Sequence, residues 1–178
     1  LTLIPAMLGW KDGPWQYNAA LTVYAPTGDY EVGRLANPGL NYWSFNPWAG
    51  VSYNNATNGF NAALHGGLVF NTENPGTDYR SGVMTHLEGS VQQLLPVGSG
   101  FLSIGAEAFW LEQVTADSGQ RSILGDFKGR TAGIGPVLGY VLPMGEQNLV
   151  AELRWLPELE TKNRLQGDYI WLKAVYQF

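Results

Sequence analysis

Apolar and polar residues alternate along most of this chain with a period of two. The ending shows it most plainly. Ile170, Leu172, Ala174, Tyr176 and Phe178 fall on one face of an extended segment, and Trp171, Lys173, Val175 and Gln177 on the other. Leu149, Ala151, Leu153 and Trp155 oppose Val150, Glu152, Arg154 and Leu156 in the same way. Such alternation marks strands with a different environment on each face. It predicts nine strands, over 1–10, 14–25, 42–53, 59–70, 83–95, 100–114, 130–142, 147–157 and 169–178, and no helix. Most have the roughly 9–11 residues that a tilted strand needs to cross a bilayer.

The ends of the apolar stripes are aromatic: Trp43 and Tyr53, Phe60 and Phe70, then Trp155, Tyr176 and Phe178. Aromatics at both ends of an outward stripe suit the two interfaces of a membrane. A soluble sandwich explains the alternation as well, but not this placement. The connections discriminate further. Lys11-Asp12-Gly13, 54–58, 96–99 and 143–146 are short, whereas 26–41, 71–82, 115–129 and 158–168 are long and carry most of the charge, including Asp29, Arg34, Asp78, Arg121 and Lys162. Short turns on one side and long loops on the other are the habit of outer-membrane barrels. The expected fold is all-β, a transmembrane antiparallel up-and-down β-barrel in the bacterial outer membrane, with residues 1–178 as one domain. Two positions sit awkwardly on the outward face. Glu112 is expected at the rim or past a bulge, and Gln93 beside Val91 has no such excuse.

Composition agrees. Charged residues are 14% of the chain, against about 25% in an ordinary soluble domain. The chain has no Cys, which excludes disulfides and thiolate metal sites, and a net charge of −5, which argues against nucleic acid. No apolar run approaches the roughly 18 residues of a membrane helix.

Several longer motifs occur together: Ala6-Met7-Leu8-Gly9-Trp10, Val23-Tyr24-Ala25-Pro26-Thr27-Gly28-Asp29-Tyr30, Asn41-Tyr42-Trp43-Ser44-Phe45, Thr77-Asp78-Tyr79-Arg80-Ser81-Gly82, Leu124-Gly125-Asp126-Phe127-Lys128-Gly129-Arg130 and Gly167-Asp168-Tyr169-Ile170-Trp171-Leu172-Lys173. With them the chain resembles, over essentially its whole length, the outer-membrane channel family associated with the meta-pathway of phenol degradation. The resemblance implies a monomeric barrel of about twelve strands, a rather apolar lumen, and passage of small hydrophobic molecules. Single-chain bacterial barrels have an even number of strands. Nine visible strands therefore imply an odd number before Leu1, three by the resemblance.

The faces opposite the lipid stripes give the expected substrate pathway: Tyr24, Asn46, Trp48, His65, His86, Glu88, Ser90, Glu107, Phe109, Glu152, Arg154, Trp171 and Lys173. Aromatic surface with scattered polar groups suits apolar or aromatic solutes. The charges among them read either as a constriction or as a network tying strands together. The expectation is a passive channel with no cofactor. Its partners are outer-membrane lipid and small hydrophobic solutes. The alternative is a barrel enzyme of the lipase or protease type, using His65 or His86 with Ser90, Ser103 or Glu88 in the lumen. His65, His86 and Glu88 show no metal-ligand spacing along one strand, so no metal is expected. Across the last hairpin, register is predicted from charge. Arg154 opposite Lys173 is repulsive, so Glu152 should face Lys173 and Arg154 should face Trp171.

Overall fold

The computed structural model describes residues 1–119, 122 and 126–177. Arg121, the Leu124-Gly125 pair and Phe178 lie outside them. Eleven strands follow one another: β1 (Thr2–Asp12), β2 (Trp15–Tyr24), β3 (Ser44–Asn54), β4 (Phe60–Asn71), β5 (Tyr79–Arg80), β6 (Met84–Val97), β7 (Gly100–Gln113), β8 (Ser118–Gly119), β9 (Arg130–Met144), β10 (Gln147–Lys162) and β11 (Asp168–Gln177). Nine form one antiparallel sheet in the order β1-β2-β3-β4-β6-β7-β9-β10-β11, and β5 and β8 pair separately. There is no helix among the described residues. The sheet is open: β1 and β11 are its two edges.

The short turns follow from their sequences. Gly98 and Gly145 take positive φ at the β6–β7 and β9–β10 turns, a conformation glycine adopts without steric cost. In the turn after β3, Asn55 Oδ1 accepts from the amides of Thr57 at 3.0 Å and Asn58 at 3.2 Å, the local hydrogen bonding that makes Asn a turn residue. The outward Gln93 closes the same turn, donating to the carbonyl of Asn58. Glu112, the other awkward residue, is the penultimate residue of β7 and faces Arg130, at the rim as expected.

The sheet is strongly curled. Flat strands about 4.8 Å apart would put β7 and β11, three places apart, roughly 14 Å from each other. Yet the rings of Phe109 and Tyr169 are 6.0 Å apart. Arg154 on β10 likewise reaches Glu107 on β7 over β9, and His86 on β6 reaches Asn46 on β3 over β4. Small residues permit these crossings. A Cβ on Gly67 would lie 2.8 Å from His86 Nε2, and one on Gly133 would lie 2.6 Å from the Phe109 ring.

Burial is inverted. The buried apolar residues are Ala20, Val23, Val137 and Leu156, while Thr22, Ser44, Asn71, Asn74, Ser103, Glu107, Thr131 and Glu158 are buried polar ones. Large apolar residues of the convex face stay exposed: Leu64, Val91, Ile104, Ile134, Leu138, Leu153 and Ile170 among them. Convex-face aromatics gather at the strand ends. On the short-turn side Trp10 stacks on Tyr17, Trp15 meets Tyr53 edge-on, and Tyr53 lies against Phe60. On the long-loop side Trp43 stacks near Phe45, which faces Phe70 across the ladder.

The long connections are ordered by side chains. The Tyr79 hydroxyl donates to Asp117, whose other oxygen accepts from the amide of Gly82 at 2.8 Å and from Gln113 Nε2 at 2.6 Å. This fixes the β5–β8 pairing. Asn74 is buried between segments, accepting from Asn41 at 2.9 Å and donating to the Leu40 carbonyl at 3.2 Å.

Two expectations need correction. The connection expected over 158–168 is largely strand, because β10 runs on to Lys162 through a bulge between Glu158 and Glu160. Glu158, on the same face as Glu152 and Arg154, is satisfied inside the strand: Gly167 N and the Tyr169 hydroxyl both donate to its carboxylate. The first strand, expected as a regular strand over 1–10, carries a bulge between Leu3 and Ala6 against β2.

Candidate functional site

Directly paired residues in an antiparallel ladder share a face, so the pairings settle which side chains lie together. Asn46 faces Thr22, Gly50 faces His65, His65 faces Glu88, Ser90 faces Glu107, Glu88 faces Phe109, and Val137 faces Arg154. With the last hairpin these pairings place all thirteen candidate residues on the concave face. In that hairpin Glu152 faces Lys173 and Arg154 faces Trp171, the register that charge predicted.

The predicted ion pair is redistributed, however. Glu152 takes its hydrogen bond from Arg154, on its own strand, at 2.8 Å, and Arg154 Nη1 reaches Glu107 at 2.6 Å. One guanidinium, presenting donors in a planar fork, thus serves two carboxylates on strands two apart. The glycines opposite clear the way: Gly135 faces Glu107 and Gly139 faces Glu152.

Two of the hollows along this face expose candidate aromatic residues. One, of about 910 Å³, is bounded by β1 to β6 and includes Tyr24, Asn46, Trp48 and His65. The other, of about 410 Å³, is bounded by β6 to β11 and includes Phe109, Leu156, Tyr169, Trp171 and Lys173. They share His86 and Glu88. Each exceeds the roughly 150 Å³ that accepts a benzene-sized guest. Trp48 is held by its indole N–H donating to Thr22 Oγ1 at 3.1 Å and by the edge-on ring of His65, so its apolar face is presented rather than mobile.

Two residues of the enzyme alternative bond outside their set, and two lie against each other. His86 Nε2 is 3.1 Å from Asn46 Oδ1, Ser103 donates to Gln92 Oε1 at 2.7 Å, and Glu88 lies 3.5 Å from His65 Nε2. No Ser–His hydrogen bond occurs among the described residues. Sequence reasoning missed Tyr169, which lines the second hollow against Phe109. Its shared parity with Trp171 and Lys173 was the available signal. His65, His86 and Glu88, set aside as a metal group for want of ligand spacing along one strand, do converge: their ligand atoms all lie within 4.8 Å of one another.

No curated protein and no solved structure matches the chain. Residues 1–174, carrying both the concave-face network and the ordered loops, match the family described as "Putative MetA-pathway of phenol degradation", and the chain belongs to that family.

Proposed function

We propose that this chain forms the wall of a β-barrel in a bacterial outer membrane, and that the barrel is a passive, monomeric channel for small hydrophobic molecules, aromatic ones included. The inverted burial carries the reading. A soluble sheet covers its apolar face with a second layer. Here the apolar face is bare and the buried residues are mostly polar. Each large aliphatic side chain left in water forgoes about 1.5–3 kcal/mol of burial, a cost that vanishes against lipid. The aromatic residues bracket this face at a suitable height. Phe60 to Phe70 is ten residues along β4, about 33 Å of strand, or roughly 25 Å once tilted by about 40°.

Inside, the two hollows supply aromatic surface at several separate places, and the charges beside them are largely compensated. Weak, repeated contact favours passage over capture. The family's name, with its phenol pathway, is in keeping with aromatic solutes. The chain performs no catalysis in this proposal, and lipid and solute are its partners.

Uptake separates the possibilities. Cells expressing the intact protein should admit a monoaromatic solute faster than a sugar of similar size. Trp48→Arg should slow the aromatic while leaving strand content unchanged. Equal entry with and without the protein refutes the channel. Lipid or peptide hydrolysis that disappears in His86→Ala favours the enzyme instead.

A further inference from the structure

The shared wall between the two hollows holds a grouping that passage of apolar solutes does not use. His65 rises from β4, and His86 and Glu88 rise from β6. Their candidate ligand atoms lie within 4.8 Å of one another, with His65 Nε2 already 3.5 Å from Glu88 Oε2. The imidazole rings are 6.2 Å apart, edge to face. Asn46 brings an amide oxygen to 3.1 Å from His86 Nε2.

The charge pattern sets Glu88 apart. Glu107 and Glu152 share the guanidinium of Arg154. Among the described residues, Glu88 has neither a lysine nor an arginine within ion-pair distance; it meets an imidazole. A carboxylate and two imidazoles without a fixed cation form a donor set suited to a positive ion.

We propose that His65, His86 and Glu88 bind one borderline divalent transition ion of the Zn²⁺ or Ni²⁺ class on the concave wall. Two nitrogens and one carboxylate oxygen are a usual ligand set for such ions, whereas Mg²⁺ prefers an all-oxygen octahedron. Around a tetrahedral ion with bonds of about 2.0–2.2 Å, ligand atoms sit roughly 3.4 Å apart. The His65–Glu88 separation meets that already. The widest separation closes by up to about 1.4 Å of side-chain rotation, and His65 and Glu88 are each 42% exposed, which leaves them room to turn. Asn46 completes or orients the set. Gly67 makes it possible, since any side chain there would occupy the space of the His86 ring. The ion would clip β4 to β6 and reverse the charge of the wall beside Trp48. The site needs only β3, β4 and β6, so it does not rest on the channel reading.

The intact protein, folded in detergent without a histidine tag and stripped with chelator, is dialysed against Zn²⁺, and bound metal is counted by mass spectrometry. The expected result is about one Zn²⁺ per chain, undiminished by excess Mg²⁺. The His65→Ala/His86→Ala pair should weaken it at least about tenfold, and Glu88→Gln and His86→Gln should each do so too. These conservative variants carry the test if the double alanine does not fold. A folded native chain that takes up no Zn²⁺ overturns the proposal. So does uptake unchanged in the folded variants, or uptake abolished equally by Mg²⁺.

Discussion

Replacing Arg154 by Met should destabilise the sheet far more than the loss of one surface charge would. The Glu107 and Glu152 side chains are only 9% and 14% exposed, and Arg154 is 32% exposed. Removing the shared cation leaves two poorly hydrated carboxylates facing the same gap. Breaking a buried pair from one side costs about 3–5 kcal/mol. The partial exposure of Arg154 places the expected loss near the lower end, about 3 kcal/mol. Glu107→Gln alone keeps the Arg154–Glu152 bond and should cost about 1 kcal/mol. The two changes together should be milder than Arg154→Met by itself, because the glutamine removes one stranded charge. That non-additivity is the sharpest signature. Urea unfolding of vesicle-inserted protein, followed by tryptophan fluorescence, measures all three; Trp171, which faces Arg154, reports locally. The reasoning fails if Arg154→Met stays within about 0.5 kcal/mol of the native chain, the range of an ordinary surface change. It fails equally if Glu107→Gln adds its full cost on top.

Tyr79 offers a test of the loops. Burial, reinforced by its bond to Asp117, pushes its phenol from 10.0 up to about 12. The folded loop therefore keeps a proton that the unfolded chain gives up near pH 10, so this contribution is intact below pH 10 and lost as pH rises toward 12. An ultraviolet titration should show a late tyrosine step that Tyr79→Phe removes; the same late step in the variant contradicts the assignment. Gly67→Ala tests the crowding beneath His86. The new Cβ would lie 2.6 Å from the Pro47 carbonyl oxygen and 2.7 Å from Trp48 Cβ. The expected loss is about 1–3 kcal/mol by urea unfolding, and a neutral result would mean that the His86–Asn46 bridge does not cross this position.

Alternation made the strands and their faces legible. Period two leaves one free choice per strand, inward or outward, and charged or aromatic residues such as Glu88, Glu152 and Trp171 settle it. The final register was legible because, of two candidate pairings, one sets Arg154 against Lys173 and the other sets Glu152 there. What stayed hidden depended on distance across the sheet. Nothing local to Glu107 announces Arg154 as its partner, since the two meet only once β9 lies between their strands and the sheet curls. His65 and His86 were legible as inward residues of adjacent strands, but how closely they and Glu88 approach is set only when β4 and β6 pair. The β5–β8 pairing had no periodic signal at all: two residues on each side are held by Asp117, and such segments read as loop. Strand length was misjudged at Glu158, where a buried carboxylate reads from sequence as the start of a loop.

β9 carries Gly133, Gly135 and Gly139 toward the concave side. A wall built this way has almost no thickness on its concave side, so the strand takes up little of the space it borders. In the proposed channel it would also make the bore adjustable one position at a time. At Gly139 a new methyl group would meet Ser103 Cβ at 3.4 Å, ordinary contact, and the Ala151 carbonyl oxygen at 3.2 Å, tight by tenths of an ångström, whereas at Gly133 it would run into the Phe109 ring. Natural variation in calibre among related chains should therefore be found at the first of these positions and avoided at the second, with strand pairing untouched.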